Sequence, residues 1–133
     1  MTKPVPIPDE TTAFYWEAAR AGRLEVQRCA DCGLWRFPPT IACPNCQSEE
    51  LVPTPVSGRG SVYSFTVVRQ AFDPAYTTEL PYVVALVELE EDPDVRILTN
   101  IVGAEPSAIT VGMPVEVTFE DRDGAALPVF RPC

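Results

Sequence analysis

The hydrophobic and polar positions of this chain change their period along the sequence, and a period of two dominates beyond residue 60. In "SVYSFTVVRQ" (61–70), Tyr63, Phe65 and Val67 alternate with smaller or polar residues, and "PVEVTFED" (114–121) repeats the pattern. Such alternation is typical of a strand with one buried and one exposed face. We therefore predict two half-buried antiparallel strands in these segments.

Three further strands are predicted from runs that alternate less. "YVVALVELEE" (82–91) and "VRILTNIVG" (95–103) carry apolar residues on both faces, and the turn "EDPD" between them makes them a central hairpin. "ALPVFRP" (126–132) is a short final strand. Together with the two alternating strands this makes about five, the number of strands in an OB-type barrel. The predicted fold class is therefore mainly β.

One helix is predicted ahead of the strands, in "DETTAFYWEAARAGR" (9–23). Polar residues that can cap a helix begin this segment, and Gly22 stands where a helix would end. Phe14, Tyr15 and Trp16 are consecutive, so they spread over about 200° of the helix surface. Two interpretations stay open: two rings pack on the protein and one lies on the surface, or the helix presents a second apolar face to a partner.

Four of the five cysteines form the pairs Cys29-x-x-Cys32 and Cys43-x-x-Cys46, in a chain without histidine. Three interpretations compete: a tetrahedral metal site, redox dithiols, or disulfides. Two facing knuckles bring four thiolates to one point, which suits Zn²⁺. A thioredoxin-type dithiol needs a single Cys-x-x-Cys at a helix start in a βαβ context, which the pattern does not predict. We predict a closed, structural zinc site.

Disulfides are disfavoured because the chain is expected to be cytoplasmic. Its first residues, "MTKPVPIPDE", resemble no signal peptide, and no apolar run reaches membrane-spanning length. The remaining thiol, Cys133, is expected to be exposed at a frayed end.

A module boundary is predicted in "QSEELVPTPVSGRG" (47–60), which is polar and contains prolines and glycines. The predicted organisation is an extended N-terminus and helix over 1–23, a zinc ribbon over 24–56 and an OB-fold barrel over 57–133. We expect the ribbon and the barrel to have separate cores.

The charge balance and the missing side chains restrict the function. Nineteen acidic and ten basic residues give a formal charge of −9, which disfavours nucleic-acid backbones and anionic membrane surfaces as partners. Without histidine, and with Lys3 as the sole lysine, general-base and Schiff-base chemistry have few candidates. The acidic groups "EDPD" and "EDRD" fall in turns, where solvation is the usual role. We expect a chain that is not an enzyme by itself.

Two segments are candidates for binding. "RQAFDPAYTTELPY" (69–82) is long for a connection between two barrel strands and is rich in aromatic residues. It is either a binding loop or a cover folded back over the barrel end. "WRFPP" (35–39) combines Trp35, Arg36 and Phe37 with rigid prolines and is expected to be exposed.

The order of helix, four-cysteine ribbon and barrel, with "FYWEAARAGRLEVQRCADCGLWRFPP", "ACPNC", "GRGSVYSFTVV", "LPYVVALVELEE", "VGMPVEVTFED" and "LPVFRP", closely resembles a known family. This is the zinc-ribbon/OB-fold family of small bacterial and archaeal proteins associated with thiolase-like and lipid-transfer-type acyl-CoA enzymes. The resemblance spans residues 9–132. It implies a rubredoxin-like ribbon, an OB barrel, and a non-catalytic partner of such an enzyme that docks beside the active site and helps to hold a coenzyme A thioester.

Carried to this sequence, the resemblance makes Cys29, Cys32, Cys43 and Cys46 the zinc ligands. It also suggests contact residues for the partner or acyl-CoA: Phe14, Trp16, Arg36, Phe37, Pro38, Arg69, Phe72, Tyr76, Tyr82, Phe130 and Arg131. Two positions depart from the family pattern. Gln47 stands where glycine often follows the last cysteine, and Thr40 replaces a frequent basic residue, so the chain lacks one cation that could meet a CoA phosphate.

The expected function is therefore an accessory subunit in acyl-CoA metabolism, in a hetero-oligomer with a thiolase-like or lipid-transfer-type protein. The alternative is a single-stranded nucleic-acid-binding protein, because ribbons and OB barrels both serve that role and aromatic loops can stack on bases. An independent enzyme that uses carboxylates is the third interpretation.

Overall fold

The computed structural model describes residues 3–133, which form one α-helix, eight strands and two short 3₁₀ helices. The helix is α1 (Ala13–Arg20), and the strands are β1 (Glu25–Cys29), β2 (Trp35–Arg36), β3 (Leu51–Pro55), β4 (Arg59–Val68), β5 (Tyr82–Leu89), β6 (Asp92–Ile101), β7 (Pro114–Arg122) and β8 (Ala125–Pro132). The 3₁₀ helices are Pro74–Glu79 and Pro106–Ala108. One helix, a four-cysteine cluster and a closed five-stranded barrel confirm the predicted fold class.

The helix begins and ends at the residues that the sequence indicates. The carboxylate of Asp9 accepts hydrogen bonds from two backbone N–H groups just ahead of α1. At the other end Gly22 has φ of 78°, and the N–H of Arg23 donates to the carbonyl of Ala18 at 2.8 Å. This is the Schellman arrangement, in which a left-handed residue satisfies the last free carbonyls of a helix.

The cysteine segment forms a three-stranded antiparallel sheet in the order β2-β1-β3. Strand β3 lies inside the segment 47–60, where the sequence predicts only a boundary. Its prolines, Pro53 and Pro55, look like strand breakers, but β3 is at the edge of the sheet. A proline is tolerated there because its missing N–H would have faced away from the neighbouring strand.

The remaining strands close into a barrel in the order β4-β5-β6-β8-β7, with β4 also paired to β7. Strands β6 and β8 are parallel and pair at Ile101 and Phe130, and the other pairings are antiparallel. The link from β7 to β8 is the dipeptide Asp123-Gly124, with φ of 50° and 90°. Two consecutive positive φ angles are the signature of a tight type I′ hairpin turn.

A β-bulge in β4 corrects one detail of the predicted alternation. Val62 pairs with Val87 and Ser64 with Leu86, so Tyr63 is an extra residue without a partner on β5. Val62 is buried and Tyr63 is 44% exposed, with the guanidinium of Arg96 4.0 Å from its ring centroid. The bulge shifts the phase of the strand, so Tyr63 does not share the inward face of Phe65.

The expectation of separate cores is wrong. Tyr15 of the helix and Leu24 and Val26 of the ribbon belong to the same buried cluster as the barrel residues Val87 and Phe130. Val26 and Val87 are both completely buried. The helix and the ribbon therefore contribute side chains to the barrel core and do not form a separate module. Within residues 3–133, no helix is long and apolar enough to cross a membrane.

Candidate metal centre and contact surfaces

The four cysteines of the two knuckles converge on one point. Their sulfur atoms all lie within 4.8 Å of one another, with 3.5 Å between Cys29 and Cys46 and 3.6 Å between Cys32 and Cys43. A disulfide requires an S–S bond of about 2.05 Å, so the sulfurs are free thiols. A tetrahedral Zn²⁺ with Zn–S bonds of about 2.3 Å separates its sulfur ligands by about 3.8 Å. The cluster therefore fits a structural zinc ion.

Both knuckles use the same backbone turn. The N–H of Gly33 donates to the carbonyl of Cys29 at 2.9 Å, and the N–H of Gln47 donates to the carbonyl of Cys43 at 2.8 Å. Gly33 has φ of 79° and Gln47 has φ of 65°. Gln47 therefore adopts the left-handed conformation that glycine adopts without strain.

Hydrogen bonds to sulfur favour the thiolate form that a metal requires. Backbone N–H groups, that of Cys32 first, lower the pKa of Cys29. The side-chain amide of Asn45 and the N–H of Leu34 lower the pKa of Cys32 to about 6. A donor that stabilises the charged form lowers a pKa. The turns thus favour the thiolates of Cys29 and Cys32. The N–H of Ser48 also lowers the pKa of Cys46, but the neighbouring thiols, Cys29 first, and burial raise that pKa to about 12.

Polar side chains tie the knuckles together, and the sequence analysis did not identify them. Ser48 donates to the carboxylate of Asp31, which links the two knuckles directly. The buried amide of Gln27 donates to the carbonyl of Thr40 at 3.0 Å and accepts from its N–H at 2.8 Å. Gln27 lies between Val26 and Arg28 in the strand "EVQRC", and no pattern in that strand sets it apart as this clamp.

The aromatic residues of the helix and of "WRFPP" are less exposed than predicted. Phe14, Trp16, Trp35 and Phe37 are half-buried against the core. The buried ring of Tyr15 meets Trp16 edge to face at 4.9 Å and lies 5.5 Å from Phe37. All three consecutive helix aromatics therefore pack on the protein, because the ribbon covers the side of the helix that the barrel leaves free.

The other predicted contact residues divide between core and surface. Phe130 is completely buried, so its assignment to a contact surface is wrong; it fills the barrel where β6 meets β8. Arg131 is exposed and donates to Glu116 at 3.3 Å, and Pro38 is exposed. Arg36 is half-buried, and its Nε is buried without a hydrogen-bond partner among the described residues.

The 69–82 loop is partly a cover and partly exposed. Tyr76 and Tyr82 are half-buried, with ring centroids 5.9 Å apart, over a small cavity at one end of the barrel. Arg69 is exposed, and Phe72 is 91% exposed. The cover interpretation thus describes the part of the loop at Tyr76 and Tyr82, and binding by its exposed part stays a prediction.

Cys133 is exposed as expected but is not frayed, and the acidic groups "EDPD" and "EDRD" lie mainly on strands β6 and β7 rather than in turns. Cys133 is exposed, and its backbone N–H donates to the carbonyl of Pro114 at 3.3 Å. In "EDPD" the carboxylate of Asp92 accepts from the N–H of Asp94 at 2.9 Å, which stabilises the start of β6.

Comparison with known protein families matches residues 16–120 to two consecutive domains. Residues 16–52 match the family described as "ChsH2, rubredoxin-like zinc ribbon domain", and residues 53–120 match "ChsH2, C-terminal OB-fold domain".

Individual relatives share the sequence of this chain over most of its length, but they differ in how much of their own length the chain spans. A "Probable enoyl-CoA hydratase alpha subunit" of Thermomonospora curvata is 44% identical over 98% of this chain, which spans 40% of that relative. A "DUF35 domain-containing scaffold protein" of Methanothermobacter thermautotrophicus is 34% identical over 92% of this chain, which spans 94% of that relative. "Benzoylsuccinyl-CoA thiolase subunit BbsA" of Thauera aromatica is 34% identical over 84% of this chain, which spans 76% of that relative.

Among solved structures, a chain of "Ltp2-ChsH2(DUF35) aldolase" superimposes with a TM-score of 0.87 at 44% sequence identity. The match covers 96% of this chain and 98% of that chain.

Proposed function

Because the chain belongs to the ChsH2 family of zinc-ribbon and OB-fold proteins, we propose that it is a non-catalytic accessory subunit of an acyl-CoA enzyme complex. Its partner is a thiolase-like or lipid-transfer-type protein, and the chain docks beside the partner's active site. The observation that supports this most strongly is the close superposition on a chain of an aldolase complex over nearly the full length of both. The names of the scaffold and thiolase-subunit relatives point the same way.

The four cysteines hold the zinc ion and stabilise the ribbon. Four thiolate ligands leave no open coordination position for a substrate or a water nucleophile, so the ion's contribution is structural. The two knuckles bring together segments on either side of β2, and the ion crosslinks them. The ribbon in turn positions Trp35 and Phe37 against the barrel core.

The absence of catalysis rests on the side chains that are present. The chain has no histidine, and its lysine, Lys3, forms an ion pair with Glu79. In "EDPD" the carboxylate of Asp92 accepts from the N–H of Asp94, and in "EDRD" Glu120 is paired with Arg122. The chemistry of the complex therefore belongs to the partner.

The proposal also includes some direct contact between this chain and a coenzyme A thioester. Exposed arginines such as Arg69 are suitable donors to phosphate. Arg131 is already engaged by Glu116, and Thr40 supplies no cation. Most of the thioester contact is therefore expected from the partner, with this chain closing one side of the thioester's binding site.

The test is co-purification of the tagged chain from its native host at moderate salt, with mass spectrometry and native mass of the recovered complex. The expected result is a stoichiometric complex with a thiolase-like or lipid-transfer-type protein, and no turnover of acyl-CoA by the isolated chain. Turnover by the isolated chain, or salt-sensitive recovery of single-stranded nucleic acid in place of a protein, would overturn the proposal.

A further inference from the structure

Phe72 is the most conspicuous apolar side chain on the surface. Its ring is 91% exposed, and it lies in the loop between β4 and β5. Single exposed apolar residues are common on protein surfaces and need no function. What distinguishes Phe72 is that the chain on its C-terminal side is fixed by several contacts.

The loop is ordered immediately after Phe72. The carboxylate of Asp73 accepts from the N–H of Ala75 at 2.9 Å, and the carbonyl of Asp73 accepts from the N–H of Tyr76 at 3.0 Å. These bonds begin the 3₁₀ helix Pro74–Glu79. The ring of Tyr76 then packs beside Tyr82 at the start of β5. The segment therefore has a defined path from Phe72 to the barrel.

The N-terminal residues 3–8, here called the strap, fasten this segment from outside. The ammonium of Lys3 pairs with Glu79 and lies 5.6 Å from the ring centroid of Tyr76. The guanidinium of Arg122, on β7, donates to the carbonyl of Pro4 at 3.3 Å and to the hydroxyl of Tyr76 at 3.5 Å. Strap, loop and barrel thus meet around a cavity of about 70 Å³.

The strap is stiff by composition. Pro4, Pro6 and Pro8 alternate along it, and proline fixes the backbone angle φ. Val5, Pro6 and Pro8 line a groove beside Trp16 of the helix. A stiff segment that leads into the helix and is fastened to the loop and barrel at Lys3 and Pro4 limits the positions that the loop can adopt.

The negative charge of the chain favours a protein over a polyanion as the partner that Phe72 contacts. The chain carries a formal charge of −9, and Asp73 follows Phe72 directly in the loop. Anionic membranes and nucleic-acid backbones would be repelled by such a surface. Aromatic anchors that enter a pocket are the residues that dominate the energy of protein–protein interfaces.

We propose that the strap holds the 69–82 loop on the barrel end and thereby presents Phe72 as an anchor for an apolar pocket on a protein partner. The identity of that partner rests on the proposed function. Holding the anchor in place before binding reduces the entropy lost on association. The strap is accordingly a positioning element, and Phe72 is the residue that makes the contact.

The strap is tested on the isolated chain by hydrogen exchange. In Lys3→Met and Glu79→Gln, amides in 74–82 are expected to exchange roughly fivefold faster than in the wild type, because an ion pair or a cation–π contact is lost. Ile7→Ala is the matched control, since Ile7 belongs to the strap and is 90% exposed. If the exchange rates of these amides are unchanged in both Lys3→Met and Glu79→Gln, the strap does not hold the loop.

The anchor is tested on the complex of the chain with the thiolase-like or lipid-transfer-type protein recovered by co-purification. Phe72→Ala is expected to speed dissociation by at least roughly tenfold, and Lys3→Met by roughly threefold. Val111→Ala, at a residue 66% exposed elsewhere, should dissociate like the wild type. If wild-type chain binds that protein and Phe72→Ala dissociates within about twofold of it, the anchor is wrong while the proposed function stands. If the wild type binds no such protein, both fail, and the exchange experiment still decides the role of the strap.

Discussion

Gln47 occupies a backbone conformation that its counterpart in the other knuckle, Gly33, adopts freely. Both have positive φ, and both donate to the carbonyl of a cysteine four residues earlier. The sequence identifies this position as unusual through the family resemblance, but it does not reveal the angle. The turn retains the same geometry with glutamine, so the knuckle tolerates the strain rather than adjusting to it.

Replacing Gln47 with glycine is expected to stabilise the zinc-loaded chain by about 1 kcal/mol, because a left-handed residue other than glycine costs roughly that amount. Thermal or urea unfolding of the zinc-loaded protein measures the change. Gly33→Ala is the reciprocal variant and should lose stability, since its φ of 79° disfavours any residue with a Cβ atom. A neutral or destabilising Gln47→Gly would contradict the strain argument.

Ionisation of the buried Tyr15 is expected to lower the free energy of unfolding at alkaline pH. Its burial raises the pKa of the phenol above the ordinary value of 10.0. An acid whose folded pKa is raised contributes stability that is complete below the unfolded pKa and is lost as the pH rises above it. Above pH 10.0 the wild type should therefore lose up to about 1.4 kcal/mol per pH unit more than Tyr15→Phe. Urea unfolding from pH 8 to about 11 measures this difference, and parallel curves for the two proteins would contradict it.

At the scale of elements, the sequence predicts most of the fold and fails where tertiary context decides. The helix, the hairpin of β5 and β6 and the last strand are all present, because period, capping residues and turn residues are local signals. Strand β3 was not predicted because its prolines are compatible only with an edge, and edge position is a property of the whole sheet. The bulge at Tyr63 has the same origin, since register depends on the partner strand.

The ribbon is the element that depends on metal. Cys43→Ser is expected to lose zinc, to unfold residues 24–55 and to destabilise the barrel that shares their core, because zinc binding supplies folding free energy and Cys43 is buried. Metal analysis and amide chemical shifts measure the two effects. Cys133→Ser is the control, since that thiol is exposed and outside the cluster. A metal-free Cys43→Ser with native shifts throughout the ribbon would show that zinc is dispensable there.

At the scale of the whole molecule, the helix, the ribbon and the barrel share one core, although the sequence predicts them as separate modules. The hydrophobic pattern predicts which faces are buried but not which element covers them, so the metal cluster was predicted correctly in position while the burial of Phe130 and of the helix aromatics was not. The position of the metal cluster can be predicted because the spacing within each cysteine pair is a local property of the sequence. Contact surfaces depend on how the ribbon packs against the barrel.

The shared core predicts that a ribbon substitution destabilises the barrel. Val26→Ala should lower the free energy of unfolding by about 2 kcal/mol, because it leaves a cavity at a fully buried site. Tryptophan fluorescence for the helix and ribbon and methyl shifts for the barrel should report one coincident transition, shifted together. Val52→Ala, on β3 and 47% exposed, is the control. Two separate transitions would restore the picture of independent modules.

The strand edges of this protein also affect its behaviour at high concentration. An exposed edge with free N–H groups can recruit the strand of another molecule and start aggregation. The barrel is closed, so its strands offer no such edge, and the outer edge of the ribbon carries Pro53 and Pro55. The prolines that obscure β3 in the sequence therefore also make its outer edge unsuitable for pairing with a strand of another copy, and the chain is expected to resist aggregation through that edge.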